Sequence, residues 1–264
     1  METLQARTTA PGLVRMGVSD METRERGCDY HPNYMSSLIA GRWSECPKCV
    51  QEKIDYEMSE AGKKAAADRL AAQSEYLLKK AAIPPRFSDR TLETFIANNE
   101  GQQKALGTAH AYVNDFTKTS GQSLILCGGV GAGKTHIAVG IAHELIARQC
   151  QCIFTSVIGA VRSVKETYNR SSEITEREAI DNLIKPDLLI LDEVGVQFGS
   201  DTEKLILFEI INGRYENRKS TIVISNLAMT ALAEYLGERV VDRLREDGGK
   251  LVVFDWPSHR RQAA

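Results

Sequence analysis

The sequence predicts an α/β fold: a mainly parallel sheet flanked by helices, preceded by a small N-terminal module and a connector helix. Three observations carry this reading. Short apolar runs alternate with amphipathic stretches over the C-terminal two thirds. One such run leads into the glycine-rich segment Gly128-Gly129-Val130-Gly131-Ala132-Gly133-Lys134-Thr135. Near the N-terminus, Cys28-Asp29-Tyr30-His31 is followed fourteen residues later by Cys46-Pro47-Lys48-Cys49. Strands alternating with helices bury both faces of a parallel sheet, and such sheets bind ligands at the C-terminal ends of their strands.

The bulk numbers limit the functions open to the chain. A length of 264 residues suits one large domain and a smaller one, and 42% hydrophobic with 26% charged residues is an ordinary globular composition. A net charge of −2 argues against a protein coated with basic patches for duplex DNA. It leaves room for a few lysines along a groove for single strands. Six cysteines are too few for a disulfide scaffold of this length. Residues Met1 to Asp20 lack the apolar core of a signal peptide, and no run is long enough to span a bilayer, so a cytoplasmic protein with no membrane partner is expected.

Taken in order, residues 1–26 have little apolar periodicity and read as a loose tail. The C-x-x-H and C-x-x-C knuckles that follow offer Cys28, His31, Cys46 and Cys49 as four donors for one tetrahedral zinc, a closed and therefore structural site. Incidental placement, or redox use of Cys46 and Cys49, would be the alternatives. From Val50 to Ala82 good helix formers dominate, with a thin apolar stripe at Ile54, Met58, Ala61 and Ala65. This reads as a solvated connector, or as a shallow face for a partner helix. Pro84 and Pro85 stop it. The expected divisions are therefore a tail and zinc module over 1–50, a connector helix and linker over 51–85, and the α/β domain over 86–264.

In that domain Gly101 to Phe116 is helical by pattern, and Ser123 to Cys127 is a buried strand entering the G-x-x-x-x-G-K-[ST] loop. Glycines there let successive N–H groups wrap a polyphosphate at the N-terminus of the next helix. Lys134 then reaches the β- and γ-phosphates of ATP, and Thr135 can ligate Mg²⁺. Cys152 to Ser156 reads as a second strand, with Cys150 and Cys152 as core thiols. A helix over Val157 to Tyr168 follows, then helices opened by Thr175 with Glu178 and by Ser200 with Glu203. Between these two, Asp187 to Glu193 is a buried strand ending in two carboxylates. Asp192 suits the Mg²⁺ water shell, and Glu193 suits the attacking water, a pairing that fits hydrolysis better than metabolic phosphotransfer. Thr221 to Asn226 is a third strand ending in a polar residue. Gly237 to Arg245 is a helix with three arginines, Leu251 to Phe254 the last strand, and Arg260 lies near the end.

The stretch from Ile83 to Arg260 resembles the DnaC/IstB group of AAA+ ATPases, most closely the DnaC-type helicase loaders. The carriers are Ile83-Pro84-Pro85-Arg86-Phe87, the phosphate loop, Leu191-Asp192-Glu193, Ile224-Ser225-Asn226, Gly237 to Leu244, and Phe254-Asp255-Trp256 before Arg260. The resemblance implies a P-loop AAA+ fold of the ASCE type, with Asn226 as the sensor-1 residue, Arg243 as a finger acting on a neighbouring subunit, and Arg260 as a sensor-2 arginine acting in cis. Arg239, one turn before Arg243, is a rival for the finger. The resemblance also implies an N-terminal part that grips a hexameric replicative helicase, and an ATPase part that self-associates in an ATP-dependent way and contacts single-stranded DNA. An IstB-like transposition helper is the nearest alternative. A small-molecule kinase and an interaction protein with an inactive nucleotide site fit the full set of residues less well.

Overall fold

The computed structural model describes residues 22–196 and 200–259. It divides into two compact units, Met1–Asp68 and Arg69–Ala264. In the first, β1 (Thr23–Arg26), β2 (Tyr34–Ile39) and β3 (Arg42–Trp43) form an antiparallel sheet in that order. Thr23–Arg26 is thus a strand rather than tail, paired residue for residue with Ser37–Tyr34. Arg24 and Arg26 share one face of the sheet with Trp43, and their guanidinium groups lie 5.5 and 5.9 Å from its ring centre. The helix α1 (Pro47–Lys80) begins three residues earlier than its composition suggests, because Pro47 is well suited to a first helical turn.

The division at Asp68 falls inside α1, ahead of the Pro84-Pro85 linker. The reason is packing in the second unit. Leu77, Ala81, Ile83 and Phe87 all belong to the nucleotide-domain core, and the Ala81 carbonyl accepts the Phe154 N–H at 2.8 Å. The last turns of the connector therefore cover an edge strand.

The second unit holds α2 (Glu100–Asp115), β4 (Leu124–Gly128), α3 (Lys134–Ala147), β5 (Cys152–Ser156), α4 (Val157–Lys165) and α5 (Glu176–Ile184). These are followed by β6 (Leu188–Asp192), α6 (Asp201–Glu216), β7 (Ser220–Ser225), α7 (Met229–Leu236), α8 (Glu238–Arg245) and β8 (Lys250–Phe254). The sheet order is β5-β6-β7-β4-β8, and every pairing is parallel. Alternate residues serve opposite faces: Leu124, Leu126, Ile222 and Ile224 join α2 and α3 in one core, while Ile125 and Val223 join α4 to α8 in the other. Asn99, Thr175 and Ser200 each close a capping box with the residue three positions on, which fixes where α2, α5 and α6 begin. The expected helix over Val157 to Tyr168 is α4 plus a 3-10 turn, Glu166–Tyr168.

One charged side chain is wholly interior. Arg214, on α6, donates to the carbonyls of Leu183, Ile184, Pro186 and Ser220 and to Thr221 Oγ1. It gathers the orphan carbonyls at the end of α5 and the start of β7. Burial pulls its pKa down to about 9.

Among the described residues, no helix is long and apolar enough to cross a membrane.

Candidate functional site

Because β7 sits between β4 and β6, three strand ends meet in sequence at one edge of the sheet. They carry the phosphate loop, Asn226 and the Asp192-Glu193 pair. Gly128 leaves β4 at φ +127°, and a Cβ there would lie 2.2 Å from the Phe254 carbonyl oxygen. Only glycine lets the loop start against β8.

The C-terminal segment then clasps the loop. Gly129 N–H donates to Phe254 O (3.0 Å), His259 N–H to Gly131 O (3.1 Å) and Trp256 Nε1–H to Ala132 O (2.9 Å). Lys134 Nζ donates to Gly128 O (2.8 Å) and Gly129 O (2.7 Å). The loop carbonyls are thus engaged by the chain itself. The N–H groups of the first turn of α3 have no intrahelical acceptor and face an anion site, as at helix N-termini generally. Val130 stands exposed at the loop tip. Both a polyphosphate cradle and its cation are in place.

Lys134 is 5% exposed, and burial lowers its pKa, opposed by the charge of Asp192. Asp192 Oδ2 accepts the Thr135 hydroxyl (3.1 Å), and its Oδ1 accepts the Glu193 N–H (2.7 Å). Burial raises the Asp192 pKa, countered by those two bonds. Thr135 and Asp192 therefore present adjacent oxygens of the kind a hard divalent cation takes. Glu193 is exposed and adopts φ +62°, which turns the chain out of the strand beside Asp192. Asn226 is the first residue beyond β7 and is exposed.

Arg243 is elsewhere. Its guanidinium packs over Phe208 (5.5 Å) and Tyr215 (5.3 Å), and it lines a small pocket with Ser123 and Thr221, at the starts of β4 and β7. That is the opposite end of the sheet from the phosphate loop, so Arg243 does not serve its own chain's loop. Its Nη1 is buried with no hydrogen-bond partner among the described residues. Arg239 is exposed on the same helix. Arg260 lies outside the described residues.

In the first unit, the donor atoms of Cys28, His31, Cys46 and Cys49 all lie within 4.8 Å of one another. Cys28 Sγ is 3.5 Å from Cys49 Sγ and 3.7 Å from His31 Nδ1; Cys46 and Cys49 Sγ are 3.8 and 3.4 Å from that nitrogen. Metal–sulfur and metal–nitrogen bonds of about 2.3 and 2.0 Å in a tetrahedron require edges of about 3.5–3.8 Å. The spacing fits, and the cysteines are free thiols. The N–H groups of Tyr30 and His31 help lower the Cys28 thiol to about 6, whereas its contact with Cys28 pushes Cys49 up to about 12. Thiols this crowded ionise together only around a cation. Glu52, one turn beyond Cys49 on α1, has Oε1 3.4 Å from His31 Nε2, so a carboxylate orients the ring whose Nδ1 faces the cluster. Glu52 was missed in the sequence; its place one helical turn after Cys49 was the available signal.

The comparisons agree with this architecture. Residues 54–252 match the family described as IstB-like ATP binding protein. The replicative helicase loader DnaC of Escherichia coli (strain K12) is 31% identical over 216 residues, covering 81% of this chain and 87% of that protein. A crystal structure of the DnaC helicase loader superposes with a TM-score of 0.60 at 26% identity, over 65% of this chain and 100% of that one. The replication initiator DnaA bound to AMPPCP and single-stranded DNA gives 0.56 at 26%, over 67% and 52%. The phosphate loop on β4, the carboxylates on β6 and this breadth of likeness lead to one conclusion: the chain belongs to the IstB-like ATP-binding proteins and is a DnaC-type AAA+ ATPase.

Proposed function

We propose that this protein is an ATP-dependent helicase loader, which binds a hexameric replicative helicase through its N-terminal region and delivers it to single-stranded DNA. The observation that carries the reading is the joining of a phosphate loop, whose Thr135 meets Asp192 with Glu193 beside it, to a chain that resembles DnaC over 81% of its own length. Residues 1–50 comprise an N-terminal tail and the zinc module, which Cys28, His31, Cys46 and Cys49 hold and which presents the helicase-binding surface. Residues 51–85 connect it to the ATPase domain, residues 86–264, which self-associates when ATP is bound. The protein acts in the cytoplasm and has no membrane partner.

At the site, Lys134 and the loop N–H groups hold the β- and γ-phosphates. Thr135 and Asp192 would hold magnesium, which neutralises charge on the phosphate oxygens. Glu193 and Asn226 orient the attacking water. Arg243 of a neighbouring copy completes the site, since within one chain it lies at the far end of the sheet; Arg260 meets the nucleotide in cis. Reaching a neighbour requires the Arg243 guanidinium to leave Phe208 and Tyr215, and its Nη1–H, with no hydrogen-bond partner among the described residues, lowers the cost of leaving.

The test is capture of the replicative helicase from the same cell by immobilised full-length chain, with and without ATP. Stoichiometric capture is expected. A chain that captures a transposase, and no helicase, would instead be an IstB-like transposition helper, the reading that the family match keeps in view.

A further inference from the structure

We infer that Ser225 is a positioning residue that fixes Glu193 and Asn226 relative to one another, an inference resting on the reading above that these two groups face the attacking water. The ladder between β6 and β7 pairs Leu191 with Val223 and stops there. Asp192 still pairs with Ser156 of β5 but no longer with β7, Glu193 turns away, and the chain returns when Val194 N–H donates to Ile224 O at 3.0 Å. The excursion begins at Asp192, whose carboxylate accepts the Thr135 hydroxyl of the phosphate loop, and carries Glu193 beside it.

Ser225 holds the excursion closed. Its side chain is 1% exposed; the hydroxyl donates to Val194 O (2.7 Å) and accepts the Leu227 N–H (3.1 Å). A hydroxyl has one proton and two lone pairs, so it satisfies both bonds at once. One bond pins the turn that carries Glu193, and the other pins the turn that carries Asn226. The Glu193 turn needs such support. Glu193 itself sits at φ +62°, unusual for a residue with a side chain. Gly195 follows at φ +86°, where a Cβ would stand 2.4 Å from Leu227 Cδ1, so the two turns also pack directly together. Alanine at 225 would leave the buried Val194 carbonyl and the half-buried Leu227 N–H without their shared partner and free the turns to move apart.

Positioning of this kind affects the chemical step and spares nucleotide binding. In steady-state ATP hydrolysis by the full-length chain, Ser225→Ala is expected to lower kcat at least tenfold while KM and equilibrium ATP binding stay within about twofold of wild type. Ser220→Ala is the control: Ser220 is buried at the other end of the same strand, 3.3 Å from Ser120 Oγ, and its loss should leave kcat unchanged. Should Ser225→Ala fail to fold by thermal denaturation, Ser225→Cys, with its weak donor, serves in its place and should also lower kcat. Wild-type kcat in the folded Ser225 variant, with Glu193→Gln slow in the same assay, would overturn the inference alone. Full activity of Glu193→Gln would overturn the reading beneath it.

Discussion

Lys134→Ala should weaken ATP binding by about two orders of magnitude, the loss expected when a buried, charge-assisted contact to phosphate is removed. Lys134 is 5% exposed and already donates both short bonds to the loop carbonyls, so alanine removes the cation and loosens the loop that it braces. Glu193→Gln should behave differently. In its proposed role its carboxylate acts on water, and its neighbour Asp192 keeps the Thr135 contact; ATP affinity is therefore expected to hold while turnover falls about a hundredfold or more. Equilibrium binding of a fluorescent ATP analogue and phosphate release separate the two effects. Arg243→Ala should bind ATP normally, hydrolyse it poorly, and recover activity when mixed with Lys134→Ala, because the mixture contains sites with an intact loop facing an intact arginine. Equal affinity in wild type and Lys134→Ala would contradict the site, and failure of mixing under assembling conditions would return Arg243 to an ordinary surface role.

Removing the metal should split the molecule functionally. Between residues 22 and 50 the buried side chains are only Cys46 and Ser36, too little apolar burial to hold a three-stranded sheet. Structural zinc supplies roughly 10–16 kcal/mol of binding free energy in small modules, far more than those contacts. The wild type purified without chelator should contain about one zinc per chain, and chelation should unfold the N-terminal sheet. The nucleotide unit has two cores of its own and should keep ATP affinity. Cys46→Ser with Cys49→Ser should likewise bind ATP yet lose helicase capture. Metal analysis, circular dichroism and the capture assay read the three parts separately. A zinc-free wild type would contradict the metal assignment, and undiminished capture would move the partner surface to the connector or the ATPase domain.

What could be read from sequence was what depends on neighbours in the chain. The phosphate loop, the apolar strands and the capping boxes opened by Thr175 and Ser200 are local patterns, and each appears where its pattern lies. The four metal-ligand candidates come together because each knuckle is a tight local turn: His31 N–H reaches Cys28 Sγ at 3.1 Å within the first. Interactions between distant segments were not readable. Arg214 looks like an ordinary helical arginine, and only the tertiary fold brings the end of α5 and the start of β7 around it. Trp256 is one more aromatic near the terminus until its indole meets Ala132 O across 124 positions. Ser225 reads as a polar strand residue; its role depends on a turn 31 residues away. The strands β1 to β3 escaped notice because they are short and their side chains are mostly exposed, so no clean alternation of apolar and polar residues marks them.

In the proposed function, ATP at this site controls delivery of a ring helicase to DNA. That control is tested most directly by mixing the replicative helicase, a single-stranded DNA circle and this chain with ATP, then counting helicase hexamers retained on the circle after size exclusion. Wild-type chain should raise retention several-fold above helicase alone, and Lys134→Ala should leave it at the helicase-alone level. Equal retention with wild type, with Lys134→Ala and with no added chain would contradict the account.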